Sequence, residues 1–582
     1  MRYRREWWHR IRLLFFVFLL AGLIIIGRLF YIQIVQAAEL KGKANDAHHH
    51  TVSLIQRGQI LDRHGMPLAQ DSILYDLYSH PQFYGDCDPK AMAEAMAPVL
   101  NIPESFLSER LLQRRKTTIR LANNVSKATK DQLEAIRIQS VKGKSTPLKG
   151  LDFARKTVRQ YPQGALAAHV LGYVNQDARY SSGVEAVYEK ILGEKQKNRR
   201  SFMLDGKAQP IDLKGDNVTS LIMFPKAEDV TLTLDTRLQF VAEKALIKGV
   251  KRSGAKRGAV IVLEPKTGEV LAYAVAPSYN PEAYFKAKPS VLKNWSLTDV
   301  YPPGSTMKIL TVASGLETGV IEPHSKILDT GRMTVGGWPI ENYDYYKHPY
   351  PGNISLSYLF EHSSNIASAK ISMMMNPKLQ HQLLKGFGFG EPTGIDLKGE
   401  SAGILSQYKK WEKSTQASLG YGYGIAATPL QMAAAINAVA NQGVWVQPHV
   451  LKNPELNVTS HRVISPEVAQ QTAKLLAQSI QNAKHSTVRI KGVPVAGKTG
   501  TSRKPNENGA GYSKDIFTSF AGFYPADKPK LTVFVVVDSP TMFDSWGSTV
   551  AGPIFKEIAG ETLDYFHLRP KVAISNVGEK PA

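Results

Sequence analysis

The chain has 582 residues, 43% of them hydrophobic and 21% charged, proportions that exclude a disordered or polytopic membrane protein and allow about two to four domains. Lys and Arg outnumber Asp and Glu by 72 to 50, a formal charge of +22 that favours anionic partners. No dense basic block follows the N-terminus and no zinc-finger spacing occurs, so the charge reads as a solvated surface and nucleic acid is not expected. Cys87 is the only cysteine, which excludes an internal disulfide and a cysteine-based metal cluster.

Arg2, Arg4, Arg5, Arg10 and Arg12 precede an uncharged run from Leu13 to Gly27, and Leu29 to Val35 continues it after Arg28. About 20 apolar residues cross a bilayer. The pattern therefore predicts a cytoplasmic tail over 1–12 and a single transmembrane anchor over 13–36, with the arginines inside and the remainder outside. A cleaved signal peptide is the rival reading, with Val35-Gln36-Ala37 as its cleavage site.

Residues 37–225 read as a mixed, irregular N-terminal module. His48-His49-His50 has no acidic or thiol partner at ligand spacing and reads as linker, so no metal is expected. A boundary near 226 precedes a predicted strand over 230–235 and a helix over 237–250. Gly258 to Glu264 and Glu269 to Ala276 bracket Pro265-Lys266-Thr267-Gly268, a strand-turn-strand signal. Phe517 to Phe523 and Leu531 to Asp538 repeat it. Helical patterns over 306–316 and 431–441 lie between, and a last helix is predicted to begin at Pro553. This order fits an α+β domain over 226–566 with one antiparallel sheet flanked by helices, followed by a tail over 567–582.

Three short motifs carry chemistry. Ser305-Thr306-Met307-Lys308 follows Pro302-Pro303-Gly304, so Ser305 is predicted at a helix start, where backbone N–H groups favour developing negative charge. Lys308 lies one turn on, on the same face; to take the serine proton it needs its pKa lowered by burial or a neighbouring cation. Ser363-Ser364-Asn365 offers a hydroxyl and an amide beside that pair. Lys498-Thr499-Gly500-Thr501 follows an apolar stretch and reads as a strand end, with a cation and hydroxyls for a substrate carboxylate and a glycine for close approach. Each motif alone is weak; the ordered set points to serine acyl transfer.

With these motifs the sequence resembles the penicillin-binding proteins, and among them the class B members, which lack a glycosyltransferase domain. The likeness runs from residue 12 to about 560. Arg57-Gly58, Asp62-Arg63 and Gly65 match the signature opening the class B N-terminal module. Arg159-x-Tyr161-Pro162, Gly172-Tyr173 and Gly183-x-Glu185 match later landmarks, and Gly420-Tyr421-Gly422 and Thr428-Pro429-Leu430-Gln431 match the stretch between the second and third motifs. Gly547-Ser548 departs from the two glycines often found before the last helix.

The resemblance implies a peptidoglycan D,D-transpeptidase outside the bacterial cytoplasmic membrane that needs no cofactor. In it Ser305 would attack the D-Ala-D-Ala bond of a stem peptide with Lys308 as base, and Ser363 and Asn365 would move protons and position groups. Lys498 and Thr499 would bind the terminal carboxylate, Gly500 would let the substrate approach closely, and the N–H groups of Ser305 and Thr501 would form the oxyanion hole. β-Lactam antibiotics would acylate Ser305. Implied partners are stem peptides on lipid-linked glycan strands, a membrane-embedded glycan polymerase and divisome proteins. Tyr161-Pro162-Gln163-Gly164 and the lack of a C-terminal repeat favour the division-specific over the elongation-type enzyme. The segment from Arg57 to Gly65 is expected to be structural, joining the N-terminal module to the catalytic domain, rather than partner-binding. A β-lactamase, a D,D-carboxypeptidase and a non-catalytic divisome scaffold are the other readings.

Overall fold

The computed structural model describes residues 2–36, 57–85, 87–139, 148–175, 181–193, 227–453, 455–483, 486–506 and 511–568. The tract at His48 to His50 and most of the tail over 567–582 lie outside the described residues. Helix α1 (Arg2–Phe30) passes into a π-helical turn at Tyr31–Val35. Within it the 23 residues Leu13–Val35 are long and apolar enough to cross a membrane. Most of their large side chains, Phe18 and Ile24 among them, are exposed, as suits a helix whose solvent is lipid.

The chain beyond forms two compact units. The second holds Arg57–Ser72, Arg159–Gly193 and the chain from Glu228 onward, and the first holds Ile73–Val158 between them. Strand β1 (Ile60–Leu61) and the opening of β2 (Pro67–Ser79) thus belong to the second unit, and the remainder of β2 to the first.

In the first unit, helix α2 (Pro89–Leu100) starts where the Asp88 side chain accepts from Lys90 N and Pro89 occupies the first turn, a position where proline's missing N–H costs nothing. Strand β3 (Ile119–Val125) pairs antiparallel with β2, Tyr75 opposite Val125 and Tyr78 opposite Arg120. Helix α3 (Lys127–Gln139) adds Leu133 to a core of Leu77, Met92, Met96, Leu107 and Leu121.

In the second unit, β1 pairs antiparallel with the start of β2 and parallel with β4 (Val230–Thr231). Asp235 caps helix α4 (Thr236–Ser253) by accepting from Leu238 N, and Gly254 ends it at φ +62°, the left-handed conformation glycine adopts without strain. Strands β5 (Arg257–Leu263) and β6 (Val270–Ala276) follow. The helical middle comprises α5 (Lys308–Glu317), a short β7 (Lys326–Asp329), β8 (Trp338–Glu341) and β9 (Gly352–Ser355), then α6 (Leu356–His362), α7 (Asn365–Met374), α8 (Pro429–Ala440) and α9 (Pro466–Asn482). Strands β10 (Ala496–Pro505), β11 (Tyr512–Tyr524) and β12 (Leu531–Asp538) return to the sheet, and α10 (Ala551–Tyr565) closes it.

The sheet runs β10-β11-β12-β5-β6, antiparallel throughout. Val533, Val535 and Val537 of β12 face a core shared with Leu238 and Leu246 of α4 and Ile554 and Phe555 of α10. The alternate residues Phe534 and Val536 face a second core with Ala433 and Ala434 of α8 and Leu310 of α5. Burial of both faces explains why β12 is apolar at every position from Val533 to Val537 rather than at every second one. The α+β expectation holds. The last helix begins at Ala551, two residues before the predicted Pro553, which sits within its first turn.

Candidate active site

Pro302-Pro303-Gly304 brings the chain into a 3₁₀ turn, Gly304–Met307, which leads into α5. Ser305 thus lies in a tight turn before the α-helix rather than in its first α-helical turn. The turn is tied down from three sides. Thr306 Oγ1 donates to Pro303 O at 2.9 Å, Ser502 Oγ to Pro302 O at 2.7 Å, and Gly304 N to Gly422 O at 3.1 Å. Gly304 has φ +60°, and a Cβ there would meet Ser502 Cβ at 2.9 Å and Thr501 O at 3.1 Å, so only glycine lets the turn lie against β10.

Lys308 is fully buried. Its Nζ donates to Ser363 O at 2.5 Å, Ser363 Oγ at 3.1 Å and Asn365 Oδ1 at 2.7 Å. Ser363 Oγ in turn donates to Ser305 Oγ at 2.9 Å. Hydrogen bonds therefore connect Ser305 to Lys308 through Ser363. Burial pushes Lys308 well below the ordinary lysine range; the positive charge of Lys498 pushes the same way, and Asp329 and Asp344 oppose both. Ser363 sits between α6 and α7 at φ +55°, uncommon for a residue with a Cβ.

Lys498, Thr499, Gly500 and Thr501 lie in the interior of β10, not at a strand end as the sequence suggested. The hydrogen-bonded pairing continues from Ala496 opposite Phe523 to Arg503 opposite Ile516, because polar residues past Thr501 still complete the ladder at the sheet edge. Lys498 is buried, with its Nζ donating to Thr499 O at 3.0 Å. Burial lowers its pKa to about 7. A Cβ on Gly500 would meet Thr306 Cγ2 at 3.0 Å and Pro303 O at 3.4 Å, so the strand backbone runs close beside the Ser305 turn. Gly547 N donates to Thr501 Oγ1 at 3.1 Å, and Ser548 O accepts from Thr487 Oγ1 at 2.6 Å. The departure from a glycine pair is thus absorbed at Ser548, while Gly547 keeps the contact with the site.

Two contributors carry no motif signal. Asp329, which ends β7, and Asn342, which follows β8, are both buried beneath the Ser363-Ser364-Asn365 turn. Only the folded chain brings them there.

The Arg57 to Gly65 segment forms a separate structure in the second unit. Arg57 is 4% exposed; its Nε meets Glu185 Oε2 at 2.6 Å and its Nη1 Glu189 Oε2 at 2.8 Å. Arg159 meets Glu185 Oε1 at 2.7 Å and Asp71 Oδ1 at 3.2 Å. A Cβ on Gly58 would collide with Glu228 O. Asp62 accepts from His64 N and Met66 N at 2.8 Å and from Thr236 Oγ1 at 2.6 Å. Arg63 pairs with Glu269 at 3.2 Å, and Gly65 turns at φ +87°.

A serine joined to a buried lysine through a second serine, beside the edge strand of an antiparallel sheet, defines the class of serine acyl-transfer enzymes that use lysine chemistry. The chain belongs to the penicillin-binding protein transpeptidase family. The model of the penicillin binding protein transpeptidase domain matches residues 258–560, and that of the penicillin-binding protein dimerisation domain residues 54–209. The Probable peptidoglycan D,D-transpeptidase PbpC of Pseudomonas aeruginosa is 30% identical, over 99% of this chain and 97% of that one. The Peptidoglycan D,D-transpeptidase FtsI of Escherichia coli is 29% identical, over 95% and 91%. The crystal structure of penicillin binding protein 3 of Mycobacterium tuberculosis, complexed with aztreonam, shares the fold with a TM-score of 0.64 at 24% identity, over 88% of this chain and 96% of that one.

Proposed function

We propose that this D,D-transpeptidase acts in septal cell-wall synthesis, with Ser305 as its nucleophile. The observation that carries the assignment of Ser305 is its hydrogen-bonded path through Ser363 to Lys308. A neutral Lys308 amine keeps its bonds to Ser363 O and Asn365 Oδ1 as a donor and accepts the Ser363 hydroxyl proton. Ser363 Oγ then accepts from Ser305, which attacks the carbonyl of the penultimate D-alanine. The Ser305–carbonyl bond forms and the negative charge on the carbonyl oxygen meets the backbone N–H groups of Ser305 and Thr501. Collapse breaks the peptide bond, and the proton held by Lys308 returns through Ser363 to the departing D-alanine amine. An amine of a second stem peptide then attacks the acyl-enzyme, gives up its proton along the same path and frees Ser305. Lys498 and Thr499 hold the terminal carboxylate of the donor.

The septal assignment is supported by the Tyr161 to Gly164 segment and by the likeness to FtsI. The apolar helix would anchor the chain in the cytoplasmic membrane with its N-terminus inside and the catalytic unit outside, near lipid-linked strands, a glycan polymerase and divisome proteins. A fluorescent fusion tests this. Accumulation at the division site, with filamentation on depletion, is expected; lateral-wall signal with rounding of depleted cells would assign it to elongation instead. Release of D-alanine together with a cross-linked dimer from stem-peptide substrate tests the reaction. Release without a dimer would indicate a carboxypeptidase.

A further inference from the structure

We propose that Asp329 is a positioning residue for acylation: by accepting from Ser364 and Asn342 it fixes the turn that presents Ser363 and Asn365 to Lys308. The inference rests on the reading of Ser305 and Lys308 given above.

Asp329 is 0% exposed. Its Oδ1 accepts from Gly331 N at 2.8 Å and Asn342 Nδ2 at 3.0 Å, and its Oδ2 from Ser364 Oγ at 2.6 Å and Asn342 Nδ2 at 2.9 Å. All these donors are neutral. Three groups donate to two oxygens, which a carboxylate satisfies and an amide does not, because the amide would turn an NH2 toward one of them. A charge buried against neutral donors is costly, so its retention calls for a reason beyond filling space.

The reason lies one residue further along. Ser364 caps α7, its Oγ also accepting from Ala367 N at 2.9 Å. Asn342, held by Asp329, uses its Oδ1 to accept from Asn365 N at 2.8 Å and Ile366 N at 3.3 Å. The two residues that follow the left-handed Ser363, Ser364 and Asn365, are therefore anchored, directly or through Asn342, to one carboxylate. A strained conformation persists only where its surroundings over-determine it. That turn supplies all three acceptors on Lys308.

The carboxylate also acts on Lys308 through space. Lys498 on β10 disfavours the ammonium, whereas Asp329 and Asp344, the latter 3.6 Å from His362 Nδ1, favour it. Removing Asp329 while keeping Asp344 shifts Lys308 further toward the neutral amine.

The test compares full-length wild type, Asp329→Asn and Ser364→Ala in acylation by a fluorescent penicillin across pH, with rates normalised to the fraction that labels at the endpoint. Asp329→Asn is expected to lower the second-order rate constant about a hundredfold and to move the acid limb of the profile to lower pH. Ser364→Ala, which keeps the charge and removes the tether, slows acylation and leaves the acid limb in place. Wild-type rates in either variant, or a slowed Asp329→Asn with an unmoved acid limb, overturn the proposal. Should Asp329→Asn fail to fold, Ser364→Ala at the wild-type rate overturns it alone. A wild type that does not label at all refutes instead the assignment of Ser305.

Discussion

Ser363 Oγ donates to Ser305 Oγ at 2.9 Å while itself accepting from Lys308 Nζ at 3.1 Å. These bonds run in the sense opposite to the one the reaction needs, so loading the site requires Lys308 to lose a proton and both hydroxyls to turn. Ser363→Ala removes the only hydroxyl on this path. Its acylation rate by penicillin should fall by about 10²–10⁴, with melting temperature near that of wild type. Acylation that persists at the wild-type rate would show that Lys308 acts on Ser305 without the relay.

Lys498 carries a pH prediction with a definite sign. Burial holds it near 7, against 10.5 for the unfolded chain. Between those values the unfolded chain binds a proton that the folded chain does not, so stability rises with pH through this window and the penalty is greatest below it. Lys498→Met should therefore resist denaturant better than wild type at about pH 6, the gap closing toward pH 10.5. In the same variant Lys308 loses the cation that depresses it, and the acid limb of acylation moves to higher pH. An unchanged denaturation midpoint at acid pH would mean that Lys498 is charged and compensated in the folded protein.

Glu185 is 0% exposed and bonds both Arg57 and Arg159. Glu185→Gln leaves two buried guanidinium groups short of a counter-charge, an effect of about 3–5 kcal/mol in comparable sites. Denaturation should show a loss of that order, with penicillin acylation kept at low temperature. Arg57→Glu distinguishes a structural role from a partner contact. Loss of polymerase activation with unchanged melting temperature and acylation would favour the partner contact, and a lowered melting temperature the structural role.

Gly304→Ala forces a Cβ into the contact with Ser502 Cβ, at 2.9 Å, on a backbone with φ +60°. A destabilisation of about 1–3 kcal/mol follows, and acylation should slow because the Ser305 turn is pushed from β10. Calorimetry and acylation rates check both halves. A stable variant with unaltered kinetics would show that the turn can relax away from the strand at no cost.

The candidate site residues are legible because local chemistry marks them: a proline–glycine entry before Ser305, and a glycine in a polar tetrapeptide after an apolar run. Helices were legible by period, their ends less so. The helix read over 431–441 begins at Pro429, because Thr428 and Gln431 form a reciprocal cap. The 3₁₀ turn at Ser305 escaped sequence periodicity because two of the bonds that hold it come from distant residues, Gly422 to Gly304 and Ser502 to Pro302, the latter pair 200 residues apart. Asp329 and Asn342 escaped for the same reason, since a carboxylate becomes informative only when the fold places its donors. Arg57 was visible as part of a motif, but its partner Glu185, 128 residues on, is paired with it by the fold alone.

The most direct test of Ser305 as nucleophile is labelling of the wild type and Ser305→Ala by a fluorescent penicillin, followed by mass spectrometry of the labelled peptide. A single adduct on Ser305, absent from the variant, is the expected result. An adduct on another residue, or undiminished labelling of Ser305→Ala, would contradict the account.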